Sequence, residues 1–390
     1  MSSVPQIGVS MTTGMSLEHW SRVGFLDREL SIYGNIADAI GGRIVFISYG
    51  GPEESDFLGG DPRFDVIPKA IPKVSNLAYS LLAGSALRDQ MNRLWLLKSN
   101  QMRGSWVALA PQRRLKLPFL LRCGMEWLEG LELSNQNTKL YRAAVARAEH
   151  YMYHRADAIM LPNPTSVRFV QDRFQIQAEK IHLFMNSIDC DAFTPEDPDK
   201  RIPKRIVFVG RIYPTKRIEL LLRAAATIPD AEVILVGKEP AGLDPEKPSY
   251  KQELEKLAHE LSVHVEFTGS VPNQELPRIL SEANVFVLPS MIEGSPKALM
   301  EAMAKGCPCV GTRAPGIQEI LHNEENGLLV EGEVADLSKA IRRLIDDREL
   351  AKKLGAAAAN YAREHFNLKR NIEREAALLK SMMRDPAKAR

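Results

Sequence analysis

Two carboxylates, Glu293 and Glu301, bracket the stretch EGSPKALME, which follows the apolar run VFVLPS. A pair placed this way could act as general acid and base, ligate a metal, hold substrate hydroxyls, or simply face solvent. Upstream, the loop GRIYPTK carries Arg211 and Lys216 directly after another apolar run, RIVFVG. Arginine offers a planar fork and lysine a point charge, a combination suited to a diphosphate. The plain alternative is a basic loop neutralised by solvent. Ser295 is a good helix N-cap and Pro296 fits the first helical position. The helix they begin presents free N–H groups and a positive dipole end, which together attract anions. Two anion-seeking devices at distant sequence positions converge on a ligand that carries a diphosphate. For Glu301 the plain alternative is an i,i+4 surface pair with Lys297, worth about 0.2–0.5 kcal/mol.

These residues need a scaffold, and the pattern around them supplies one. In the second half, RIVFVG, AEVILVG, HVEFTG, VFVLPS, CPCVGT and GLLV are continuous apolar runs rich in β-branched residues, as buried parallel strands require. Amphipathic segments such as IELLLRAAATI and YKQELEKLAHELS separate them. The first half is less regular, with PQIGVSM, RIVFISY, LPFLLRCG, AIMLPN and IHLFMNS as strand candidates. Strand alternating with helix gives a doubly wound α/β sheet, here twice in tandem. Gly210, Gly237, Gly269 and Gly311 fall at or just past strand ends, where backbone must approach a ligand closely. No G-x-G-x-x-G or G-x-x-x-x-G-K-[ST] occurs, which excludes the ordinary dinucleotide and P-loop sites.

The 390-residue length suits two domains of this kind, and 26% charged residues with a net charge of +2 exclude disorder and wholesale nucleic-acid binding. MSSVPQIGVSMTT does not read as a signal peptide, and no apolar run reaches the roughly 20 residues of a spanning helix. Cys123, Cys190, Cys307 and Cys309 show no disulfide framework, which implies reduced cytoplasmic thiols. The proline-rich, charged stretch TPEDPDKRIPK (194–204) marks the linker. The expected division is 1–195 plus a final helix at 369–390, and 196–368.

The ordered set FVGRIYPTKRIELLLRA, FTGSVP, EGSPKALMEAMAKGCPCVGTRAPGIQEIL and ENGLLVEGEVADLSKAI resembles the GT-B-fold retaining glycosyltransferases of family 4, the glycosyl transferases group 1. RADAIMLPNPTSVRFV and MNSIDCDAFTPE extend the likeness to about residues 149–368. The resemblance implies two Rossmann-like domains facing across a cleft, with a C-terminal helix crossing back to the first. It implies a nucleotide diphosphate donor (UDP-, GDP- or ADP-linked) on the second domain and a saccharide or lipid-linked acceptor on the first. Glu301 would hold the ribose hydroxyls, and Glu293 would lie near the transferred sugar. Arg211 and Lys216 would bind the diphosphate and support its departure. Backbone at Lys297 and Ala298 would meet the distal phosphate, and backbone at Val271 the base. Gly210, Gly237, Ser295 and Pro296 complete the donor side.

The sequence also departs from that family. Where members carry a Gly-Gly loop after the first strand, SMTTGMSLEHW offers Gly14 alone. Where many carry a histidine motif, LLRCGMEW offers Arg122 and Glu126 as acceptor-side candidates or structural ion-pair partners. Asp189-Cys190-Asp191 spells a D-x-D metal motif of another glycosyltransferase fold, but its place before the linker argues against a metal. No cofactor is expected, because the cations replace a metal's electrostatic function. Residues 67–122 hold many cations with Leu81, Leu82, Leu94, Trp95, Leu96, Leu97 and Trp106 interleaved. Either these apolar residues are core, with RLWLL a buried helix, or the segment makes a peripheral contact with an anionic bilayer on the inner face of the cell membrane. The expected activity is retaining, metal-independent sugar transfer in polysaccharide or glycoconjugate synthesis. The alternatives are a nucleotide-sugar epimerase of the same fold and a catalytically silent scaffold.

Overall fold

The computed structural model describes residues 4–71, 73–76, 78–79, 87–107, 115–124, 128, 138–239 and 249–385. Two compact units divide the chain: 1–184 with 369–390, and 185–368. The boundary falls ahead of the expected one at 195/196, and the packing explains why. Ile188 exchanges backbone hydrogen bonds with Phe366 and Leu368, and Cys190 and Phe193 lie in the second unit's core. Prolines and charges marked the exposed part of the linker, whereas its apolar start is already committed to the second unit.

The first unit is a seven-stranded sheet in the order β3-β2-β1-β4-β5-β6-β7, with every pair parallel. Its strands are β1 (Gln6–Ser10), β2 (Arg43–Ile47), β3 (Phe64–Ile67), β4 (Leu96–Ser99), β5 (Phe119–Arg122), β6 (Ala158–Leu161) and β7 (Ile181–Leu183). Here β3 and β4 are additions to the expected set. RLWLL, expected as a helix if buried, instead runs into β4. Leu94 and Leu97 lie in one core cluster, while Leu96 and Lys98 turn to the opposite face of the sheet. The last helix, Leu368–Met382, belongs to this unit. Its Arg374 donates to the Leu183 carbonyl at 3.2 Å, and its Glu375 pairs with the buried Lys98. Burial pulls the Lys98 ammonium below its ordinary pKa, opposed by Glu375. That pairing supplies the counter-ion a lysine inside a sheet requires.

The second unit is a six-stranded parallel sheet in the order β10-β9-β8-β11-β12-β13. Its strands are β8 (Arg205–Val209), β9 (Glu232–Val236), β10 (His264–Gly269), β11 (Val285–Leu288), β12 (Cys309–Thr312) and β13 (Leu328–Val330), matching the six apolar runs. Chain order reverses between β8 and β11, so the switch point where open α/β sheets take ligands lies outside the carboxyl ends of these two strands. The helix Lys297–Ala304 follows β11 and is built of strong helix formers, with Leu299, Met300, Ala302 and Met303 buried. It stops at Gly306, φ +75°, where Gly306 N–H donates to Met303 O and Cys307 N–H to Ala302 O. That is the paired C-terminal closure a left-handed glycine permits.

Candidate functional site

The chain leaving β8 enters Gly210, Arg211 and a turn of 3-10 helix at Pro214–Lys216. The chain leaving β11 passes Ser290 and Glu293 before the helix Lys297–Ala304. Met291 N–H donates to Thr215 O at 2.9 Å and joins the two loops directly. Lys216 Nζ then lies 2.6 Å from Glu293 Oε1, with both side chains nearly nine-tenths buried. Ser290 Oγ donates to that same oxygen at 2.6 Å. No described residue engages Glu293 Oε2, so it remains able to accept from a hydroxyl. Arg211 is exposed, and no described residue pairs with its guanidinium. The site therefore offers one fixed ion pair, one uncommitted cation and one uncommitted carboxylate oxygen.

Glu301 lies one turn into the helix and is 6% exposed. Burial raises its carboxyl pKa above the ordinary value, and Lys297 opposes the rise from 3.4 Å. The expected i,i+4 pair is therefore present, but it does not make Glu301 a surface residue. A carboxylate desolvated this far with one exposed lysine for company is costly unless a ligand hydroxyl completes it.

Glycines set the walls. Gly237 has φ +143°, and a Cβ there would stand 1.8 Å from Gly210 O, so these two strand-end loops touch backbone to backbone. Gly237 N–H also donates to Gly269 O at 2.8 Å, which draws the β10 end and the loop bearing the partly buried Val271 toward the same rim. Gly316, φ +82°, does the same for the carboxylate: a Cβ would meet Glu293 O at 2.0 Å. Glu293 N–H is held by Pro315 O at 2.9 Å. Among the expected residues, Gly210, Arg211, Lys216, Glu293, Ser295, Lys297, Ala298 and Glu301 gather at the switch point.

Ser295 differs from its expected role. Pro296 occupies the N-cap position, and no side chain caps the helix. A residue before proline is pushed toward extended backbone, so Ser295 lies one step too early to bond the first turn. The uncapped N–H groups of that turn stay available to an anion. Ser290 and Gly316 were not expected. Their signals, a serine three residues before Glu293 and a glycine in RAPG, acquire meaning once the β11 and β12 loops meet.

Gly14 and Arg122 belong to the first unit. Gly14 has φ +81° in the loop after β1. Arg122 ends β5, with Nη1 3.3 Å from Asn100 Oδ1, an oxygen that also accepts from Tyr33. No carboxylate pairs with Arg122 among the described residues. Glu126 lies outside the described residues, as do Leu81, Leu82, Arg113 and Arg114. In the D-x-D stretch, Asp189 Oδ1 accepts from Asp191 N–H and Ala192 N–H, closing a local turn, while Cys190 is buried.

A doubly wound domain with two cations and two carboxylates at its switch point defines an α/β protein with a candidate anion site there. Residues 193–361 match the family described as glycosyl transferases group 1. Sulfoquinovosyl transferase SQD2 of Arabidopsis thaliana is 28% identical over 225 residues, 53% of this chain and 41% of that protein. The GDP-mannose-dependent alpha-(1-6)-phosphatidylinositol monomannoside mannosyltransferase of Mycolicibacterium smegmatis is 30% identical over 216 residues, 49% of this chain and 54% of that protein. The chain thus spans about half the length of the curated relatives it matches. Anabaena HepE, solved in complex with UDP and glucose, superposes with a TM-score of 0.70 at 16% identity, covering 97% of this chain and 100% of that one. The fold is that of the GT-B glycosyltransferases.

Proposed function

We propose that the protein moves a sugar from a nucleotide diphosphate to a saccharide or lipid-linked acceptor, with retention at the anomeric carbon and without a metal. The observation that carries this reading is the Lys216–Glu293 contact at the switch point, with the buried Glu301 on the adjoining helix. Glu301 takes the ribose hydroxyls, which relieves its desolvation. Arg211, Lys216 and the first-turn N–H groups at Lys297 and Ala298 take the diphosphate, and backbone at Val271 meets the base. Lys216 neutralises Glu293 beside the anionic donor and leaves the second carboxylate oxygen for a sugar hydroxyl. The bond from the anomeric carbon to the phosphate oxygen breaks while the acceptor oxygen bonds to that carbon on the same face. The acceptor's proton passes to the departing phosphate, so no protein base is needed. The UDP complex of HepE and the GDP-mannose named for the M. smegmatis relative support a nucleotide-linked donor and differ in base. Incubation with UDP-, GDP- and ADP-sugars, with and without EDTA, tests the reading. Release of nucleotide diphosphate from one donor series, unchanged by EDTA, is expected; strong EDTA inhibition would return the D-x-D stretch to consideration.

On the acceptor side, Arg122 at the end of β5 is our candidate contact, and the lipid acceptor named for the M. smegmatis relative supports a lipid-linked one here. The apolar residues Leu94, Leu96 and Leu97 are core, and Trp106 packs against it, which removes them from any membrane face. Lys73, Arg88, Arg93, Arg103 and Lys116 remain exposed. Among the described residues no helix is long and apolar enough to cross a membrane. Co-sedimentation should therefore appear with anionic vesicles and fall as salt rises. Equal behaviour with neutral vesicles would point to a soluble acceptor.

A further inference from the structure

The second unit carries a cavity of about 560 Å³ at the opposite end of its sheet from the switch point. Lys204, Asn284 and Pro308 line it, and each immediately precedes a strand (β8, β11 and β12), so the cavity opens at the amino ends. It is therefore separate from the nucleotide site, which gathers at the carboxyl ends. Its apolar wall is made by Pro195, Pro308, Leu344 and Ala351, enough to receive a ring or short chain.

The charges around that wall are unevenly matched. Glu196 accepts from Lys305 at 2.7 Å, and Asp199 pairs with both Arg348 and Lys352, so both lining carboxylates are already engaged. Arg201 differs. Its Nη1 donates to Ala283 O at 2.7 Å and its Nη2 to Gly306 O at 2.6 Å, and no carboxylate pairs with it among the described residues. A guanidinium held by two neutral carbonyls stays charged at the cavity wall, where its field also reaches Glu196 and the Cys307 thiol. Lys204 pairs with Asp230 at 3.3 Å outside the cavity, so among the lining cations Arg201 stands without a carboxylate partner of its own among the described residues.

The cavity's foot is also held rigidly. Gly306, which ends the helix Lys297–Ala304, lies against Gly355 of the helix Arg348–His365 so closely that a Cβ at Gly355 would meet Gly306 O at 2.3 Å. The wall is preformed rather than assembled by a ligand, which lowers the ordering cost of binding.

We propose that this cavity is a second small-molecule site, taking an amphipathic anion: an apolar ring or short chain with one carboxylate, sulfonate or phosphate head directed at Arg201. The probe is 8-anilinonaphthalene-1-sulfonate, whose fluorescence rises on entering an apolar site and whose head is anionic. Ala356 lines the cavity yet is exposed on its helix, so Ala356→Trp fills the space without invading the core. We expect saturable binding of one probe per chain, lost in Ala356→Trp. Lys352→Glu, on the exposed rim, should weaken it about two- to fivefold, as a surface charge change does. Saturating UDP or GDP should leave the probe bound. A probe that binds Ala356→Trp as it binds the parent overturns the proposal. So does one that either nucleotide displaces stoichiometrically, because that places it in the site at the carboxyl ends. Should Ala356→Trp lose cooperative unfolding, Lys352→Glu decides alone, and unchanged affinity there counts against the site.

Discussion

Replacing Lys216 by alanine is expected to slow sugar transfer about 10²–10³-fold, the usual loss when one donor to a developing oxyanion is removed. The loss has two sources that a single variant cannot separate. Lys216 supplies charge to the leaving phosphate, and it also holds Glu293 Oε1 from 2.6 Å in a largely buried pair. Removing one partner leaves the other charge poorly solvated. The double variant Lys216→Ala/Glu293→Gln separates them. Because the two side chains act as one unit, the double variant should be little slower than the slower single variant. Fully multiplied losses would mean that the pair does not operate jointly. Arg211→Ala should also lose rate, but with no effect on Glu293, since Arg211 stands exposed and apart from the pair.

Glu301→Ala is expected to weaken binding of the free nucleotide diphosphate roughly ten- to hundredfold, the span of one or two hydrogen bonds to a charged group. Calorimetry reads this directly, and parent-like affinity would remove the ribose assignment. Glu301→Gln gives a second, opposite readout. Burial raises the Glu301 pKa in the folded chain, so the native state holds that proton more tightly than the unfolded one. Such a group favours folding most below its unfolded pKa, and the benefit is lost as pH rises through the folded value. At neutral pH the ionised Glu301 therefore costs stability, and Glu301→Gln should melt higher than the parent while binding nucleotide more weakly. The difference should close as pH falls through the carboxylate range. A glutamine variant that melts lower at neutral pH would mean the carboxylate is structural.

Much of this site was legible because its residue types carry their chemistry openly. Arg211 and Lys216 stand in one loop after an apolar run, which suggests a diphosphate, while the two carboxylates at a helix start took their hydroxyl-holding roles only from the family resemblance. Ser290 and Gly316 were hidden, since each acts by touching Glu293 from a loop that only the sheet brings near. Ser295 misled because N-cap preference is local, and the following proline shifted the helix start by one residue. The second sheet was readable from six unbroken apolar runs. In the first sheet, Asp65 interrupts β3 and Lys98 interrupts β4, and a lysine inside a strand is intelligible only with Glu375, which arrives from the last helix. The boundary was displaced for the same reason, as Ile188 is secured by Phe366 and Leu368. The amino-end cavity left no trace in the pattern, because prolines and ion pairs from separate loops build it.

The most direct test of sugar transfer is proton NMR of the protein turning over its preferred nucleotide sugar with no acceptor present. The account predicts slow loss of the donor and appearance of free sugar, first in the donor's own anomeric configuration, with Lys216→Ala nearly silent. Conversion of the donor into an epimeric nucleotide sugar, or a donor left intact in every nucleotide series, would contradict it.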